Sequence, residues 1–159
     1  MARFEGDRIV VLVPARMPMG ERQRVAEELA GRLLRRRRGQ GRADDESLAQ
    51  RARDLSARYL EARAVPAEVR WVSNQEKSRW GSCTTATGTL RISSRLQGAP
   101  AWVLDYVLVH ELAHLLEPSH GPAFKLLVSR YPRSQDAAIW LAGYSHGLHM
   151  TGGECPPGE

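Results

Sequence analysis

The chain has 159 residues, 42% of them hydrophobic and 26% charged, with 23 Lys+Arg against 18 Asp+Glu for a formal net charge of +5. That length and balance suit one globular domain able to bury its own core, and they exclude a collagen-like, a fully disordered or a disulfide-scaffolded chain. The pI near 9.8 argues only for non-specific association with polyanions, not for a fold or a chemistry.

In chain order, Arg8 to Val13 reads as a short buried strand closed by Pro14 and Pro18. Gly20 to Arg38 has helical spacing, with Val25, Leu29, Leu33 and Leu34 as its apolar positions, and Gly39 and Gly41 should stop it. Asp44-Asp45-Glu46 opens a second helix that carries Leu48, Ala52, Leu55, Tyr59 and Leu60 and closes at Val65-Pro66. The arginines between Arg32 and Arg38 then read as a solvated helix end facing Asp44-Asp45-Glu46 across a short loop. A nucleic-acid patch is the alternative, and it lacks the interleaved aromatic residues that stack on bases.

Glu68 to Ser73 alternates like a half-buried strand, and Trp80 to Thr84 with Thr89 to Ser93 reads as a hairpin turning at Thr87-Gly88. Pro100 leads into the most apolar segment, Ala101 to Leu116, a helix apolar on nearly all sides and therefore central. Two further helices are expected at about Gly121 to Ser129 and about Arg133 to Gly143. One domain over residues 1–146 and a flexible tail over 147–159 are the expected organisation. Cys83 and Cys155 form no C-x-x-C pair, and no run approaches the ~18 apolar residues of a membrane helix or the roughly 7–15 of a signal peptide. A cytoplasmic protein with reduced thiols and no membrane partner is expected.

His110-Glu111-Leu112-Ala113-His114 carries the chemistry. Residues four apart on a helix lie on one face, so His110 and His114 can bind one zinc ion. Glu111, about 100° round the helix, can reach a metal-bound water as general base. With five histidines in the chain, a chance H-E-x-x-H has a probability of roughly 1%. A catalytic zinc commonly takes three protein ligands and keeps one position open, and His120 is the candidate third. The spacing matches H-E-x-x-H-x-x-G-x-x-H with Glu117 in place of the glycine. A structural zinc is the weaker reading, because such sites are four-coordinate and richer in cysteine.

The series Lys77-Ser78-Arg79-Trp80-Gly81-Ser82-Cys83, Leu90-Arg91-Ile92-Ser93, Asp105-Tyr106-Val107, the H-E-L-A-H helix, His120 and Phe124 closely resembles the YgjP-like metallopeptidase domain family, zincins related to the SprT-like proteases. The resemblance covers residues 68–131 strongly and the N-terminal third by general layout. It implies an α+β, zincin-like fold in which a small sheet packs on a helical layer whose central helix bears the motif. It implies that His110, His114 and His120 bind Zn2+, that Glu111 is catalytic, and that the substrate is a peptide or protein. The chain departs from the family with Ser119 where Asn is common, and with a single N-terminal strand where many members have more.

Arg79 and Trp80 have two readings. They could bind substrate, Arg79 through a carboxylate or phosphate and the neighbouring edge strand by strand addition. Otherwise Trp80 packs in the core, Gly81 permits a bulge and Arg79 makes a structural ion pair. Cys83 suits a small buried hydrophobe. Tyr131, Tyr144 and His146 follow the motif and could donate to an oxyanion, although packing is the commoner role for such residues. Two other functions stay open. One is a nucleotide pyrophosphatase on the same zinc, favoured by many arginines and weakened by the lack of a Gly-rich phosphate loop. The other is a non-catalytic module that binds nucleic acid through its basic surface and holds a structural metal.

Overall fold

The computed structural model describes residues 1–6, 8–73 and 79–150. Its elements are β1 (Ala2–Glu5), β2 (Arg8–Val11), α1 (Met19–Tyr59), β3 (Glu68–Val72), β4 (Gly81–Thr84), β5 (Thr89–Ser93), a short 3₁₀ turn (Ser94–Gly98), α2 (Ala101–His114), α3 (Pro122–Ser129) and α4 (Ser134–Met150). Two compact units share the chain, Met1–Asp44 and Asp45–Glu159, and α1 runs through their boundary.

The first unit begins with an antiparallel hairpin that pairs Ala2 with Val11 and Glu5 with Arg8. Gly6 sits in the turn at φ +61, a conformation glycine adopts without steric cost. The single expected N-terminal strand is therefore two. Ala2–Glu5 is short and half charged, so it carries little apolar signal of its own, and it is held by the ladder to its neighbour. Arg37 lays its guanidinium 4.7 Å over the ring of Phe4.

The break expected at Gly39 and Gly41 is absent, and α1 is one helix of 41 residues. An interior glycine costs only about 1 kcal/mol relative to alanine. Side-chain bonds four residues apart offset part of that, Glu28 with Arg32 at 2.6 Å and Gln40 with Asp44 at 3.0 Å, the latter spanning Gly41. The short loop that would have set Arg32–Arg38 against Asp44-Asp45-Glu46 consequently does not exist. In the second unit the helix ends where Glu61 and Ala62 take positive φ of 56° and 57°, and the Ser56 hydroxyl donates to the Ala64 carbonyl at 2.6 Å.

The second unit holds a three-stranded sheet in the order β3-β5-β4. β5 lies in the middle, parallel to β3 and antiparallel to β4. The hairpin forms where expected, with Gly88 at φ +66 and its carbonyl accepting from the Ala67 N–H at 2.8 Å. Leu90 and Ile92 of β5 are fully buried, as are Val103, Leu108, Val109 and Leu112 of α2. Each such side chain contributes roughly 1.5–3 kcal/mol by leaving water. Leu48, Ala52 and Leu55 of α1 and Phe124, Leu127 and Val128 of α3 complete the core. This is the expected α+β arrangement, a small sheet on helices around the H-E-x-x-H helix. α4 continues to Met150, beyond the expected end near Gly143, and residues 151–159 of the expected tail lie outside the described residues. No helix among the described residues is long and apolar enough to cross a membrane.

Candidate metal centre

α2 is anchored from both sides of the sequence. Its face with Leu108 and Leu112 is sealed in the core, and Asp105 accepts two hydrogen bonds from the Arg51 guanidinium of α1. The opposite face then projects His110, Glu111 and His114, spaced three and four residues apart. The helix stops because Pro118 offers no N–H, and the Glu117 N–H bonds back to Ala113 at 2.8 Å. Through Pro118 and Ser119 the chain folds back and delivers His120 to the same place.

The three imidazoles converge. Ring centroids are 5.1 Å apart for His110 and His114, 5.5 Å for His110 and His120, and 4.6 Å for His114 and His120. One nitrogen of each ring lies within 4.8 Å of the others, so the trio could hold a metal ion. Phe124 supports all three rings. It stacks on His114 at 4.4 Å and meets His110 at 4.9 Å and His120 at 4.8 Å edge-on. Nδ1 of His114 lies 3.3 Å from the Glu117 carbonyl. A carbonyl only accepts, so Nδ1 carries the proton and Nε2 is left as an acceptor with its lone pair available to a metal.

The electrostatics suit a cation. Burial, then the neighbouring His114 and His120, pushes His110 down to about 4, and burial also lowers His114. Both rings are thus neutral near pH 7, as metal ligation requires. Glu111 is 6% exposed, and burial pushes its carboxyl up to about 7 against the opposing pull of Arg79. Its carboxylate faces β4, where Gly81 makes room for it. A methyl group on Gly81 would stand 2.8 Å from both Cγ and Oε1 of Glu111.

A cleft runs across this face. Gly81, Ser82, Cys83 and Thr85 line one wall and His110, Glu111, His114 and His120 the other, with Arg79 at the rim. Beyond Gly81 and Glu111 lies a second cavity, walled by Trp80, Tyr106, Val107, Ala138 and Leu141 and shared with Arg79. Burial and, less strongly, the Glu111 charge push the Cys83 thiol up to about 11.

The candidates named from sequence distribute unevenly over this geometry. His110, Glu111, His114 and His120 come together. Arg79 and Trp80 line the cavities, and Trp80 is also packed, with Arg95 4.5 Å over its ring and Tyr144 at 5.4 Å. Lys77 and Ser78 of the same motif lie outside the described residues. Tyr131 donates to the Trp102 carbonyl at 2.9 Å and meets Tyr59 edge-on at 5.3 Å, while Tyr144 stacks on Trp140 at 5.1 Å. His146 is exposed on α4. None of these last three lines the cleft. Tyr106 had no role assigned from the sequence, and the bulge considered at Gly81 does not form, because Gly81 pairs with Ile92 and Ser82 with Arg91 in regular register. Tyr106, with its ring 6.0 Å from His110, stands one helical turn before that histidine, and spacing alone would have found it. The role of Gly81 depends on a strand meeting a helix, which no local pattern reports.

A family model described as YgjP-like, metallopeptidase domain matches residues 46–144, a stretch inside the second unit. The crystal structure of the metallopeptidase zymogen of Pyrococcus abyssi abylysin is similar at 24% identity and a TM-score of 0.47, over 58% of this chain and 86% of that one. No curated protein matches the chain.

Proposed function

The chain belongs to the YgjP-like metallopeptidase domain family, and from that premise we propose a zinc-dependent peptidase in which His110, His114 and His120 hold the metal and Glu111 is the general base. The observation that carries this reading is the convergence of three ring nitrogens within 4.8 Å beside a buried carboxylate. The donor set fits zinc, since three imidazoles leave one position open.

When bound there, zinc acidifies water and polarises a carbonyl. The residues of the chain do the rest. Glu111 takes a proton from the attacking water and returns it to the leaving amine. Phe124 keeps the three rings in register, and the Glu117 carbonyl holds His114 in its tautomer. β4 is an edge strand among the described residues, so an extended peptide can add to it and lay its scissile bond beside Glu111. In this reading Arg79, which lines both cavities, binds a substrate carboxylate, and Trp80 walls the adjoining cavity.

Metal analysis of purified protein tests the first part, with about one zinc per chain expected and none after His114→Ala. Glu111→Gln should keep the zinc and abolish cleavage of a peptide library. A nucleotide panel run alongside tests the substrate class. Hydrolysis of nucleotides but not peptides, lost in Glu111→Gln, would replace the peptidase reading by a pyrophosphatase, and absence of zinc would remove both.

A further inference from the structure

Charge is not spread evenly along this chain. Residues 1–44 hold eleven arginines against six carboxylates, which is the entire net charge of +5, and residues 45–159 hold twelve of each sign. Within the first unit the excess concentrates in residues 29–43, which contain six arginines and no acidic residue. All six are exposed on α1.

The continuity of α1 turns this cluster into a surface. At 3.6 residues per turn, Arg32, Arg35, Arg36, Arg38 and Arg42 fall within an arc of about 160°. Arg37 lies off that arc, over the ring of Phe4. The acidic residues that would neutralise the face across a loop are engaged elsewhere. Asp44 accepts from Gln40, Asp45 accepts the Trp71 N–H at 2.8 Å, and Glu46 pairs with Arg53 at 3.0 Å. Arg32 is paired with Glu28, whereas Arg35, Arg36, Arg38 and Arg42 have no ion pair among the described residues.

We infer that this face of α1 is a docking surface for the phosphate backbone of double-stranded nucleic acid, engaged without regard to base sequence. Three features select that partner. The cations are all arginine, whose planar fork matches a phosphate in two bonds. α1 has no aromatic residue before Tyr59, so single-stranded bases have nothing to stack on. From Arg35 to Glu46 the helix has no large apolar side chain, whereas a helix that lies in a lipid interface needs an apolar face to bury.

Binding of a fluorescent duplex of about 25 base pairs to the full-length, metal-loaded protein tests this, read against salt from about 50 to about 200 mM. If four arginines each displace a counterion, the slope of log K on log salt is about −3.6, and affinity falls about 150-fold over that range. R35Q/R36Q/R38Q/R42Q should flatten the slope by about 3–4, and the corresponding four-lysine variant should keep it. Glutamine and lysine are both good helix formers, so circular dichroism and peptide cleavage should be unchanged. If the four-glutamine variant loses helicity, the paired variants R35Q/R38Q and R36Q/R42Q report the slope in halves. The inference is overturned by a wild type that does not bind duplex at the lowest salt, or by glutamine variants that keep the wild-type slope. It is equally overturned by tighter binding to single strands, or to phosphatidylserine vesicles, through the same arginines.

Discussion

Gly81→Ala isolates the contact between the sheet and the proposed base. The new methyl carbon would stand 2.8 Å from Cγ, 2.8 Å from Oε1 and 3.1 Å from Cδ of Glu111. Ordinary carbon contacts are about 3.5–4.0 Å, so the clash demands about 0.7 Å of movement or more. The strand cannot easily supply it, because Gly81 pairs with Ile92 and the neighbouring Trp80 carbonyl accepts from the Ser93 N–H at 2.9 Å. Nor can α2, whose Leu108 and Leu112 are fully buried. The Glu111 side chain therefore yields, at a cost of about 1–3 kcal/mol for overpacking. A displacement approaching 1 Å at a reacting group can lower turnover about 100-fold. The histidines are untouched, so the zinc should stay. The assay is kcat on a cleavable peptide beside metal content and melting temperature. In a Glu111→Gln background the alanine should cost no further activity, because the group it displaces is already inert. Wild-type kcat in Gly81→Ala at full metal content would refute the reasoning, as would an equal further loss in the double variant.

Three other outcomes follow from the same geometry. Phe124→Ala removes the floor beneath three imidazoles, and should weaken metal affinity about 10–100-fold and lower stability by about 3–5 kcal/mol; chelator competition and denaturant melts check both, and an unaltered metal affinity would deny the ring its positioning role. Asp105→Asn breaks the pair with Arg51, whose side chains are 19% and 41% exposed, so solvent screening limits the loss to about 1 kcal/mol. Its melting temperature should fall by a few degrees with activity per bound zinc unchanged. The Cys83 thiol, held at about 11, gains thiolate only as pH rises well above that of free cysteine, so at pH 8 its thiolate fraction is about 0.1%. In a Cys155→Ser background, alkylation of the folded protein at pH 8 should run about 100-fold slower than that of the unfolded chain, and matching rates would contradict the burial argument.

Much of the centre was legible because it is local. His110, Glu111 and His114 are related by helical periodicity alone, and a six-residue step to His120 is too short to stray far once Pro118 has ended the helix. The central place of α2 was equally readable, since a helix apolar on nearly every side has nowhere to go but inside. What spacing could not report were relations between distant segments. Gly81 meets Glu111 because the β3-β5-β4 order sets β4 against α2, and β1 exists because β2 offers it a ladder. α1 continues through Gly39 and Gly41 because two weak breaks cost less than the hydrogen bonds an interruption would forfeit. That last outcome also decides where the positive charge sits. Composition alone determined that the chain is basic, but only the folded helix gathered its arginines on one face and drew Asp45 and Glu46 to other partners.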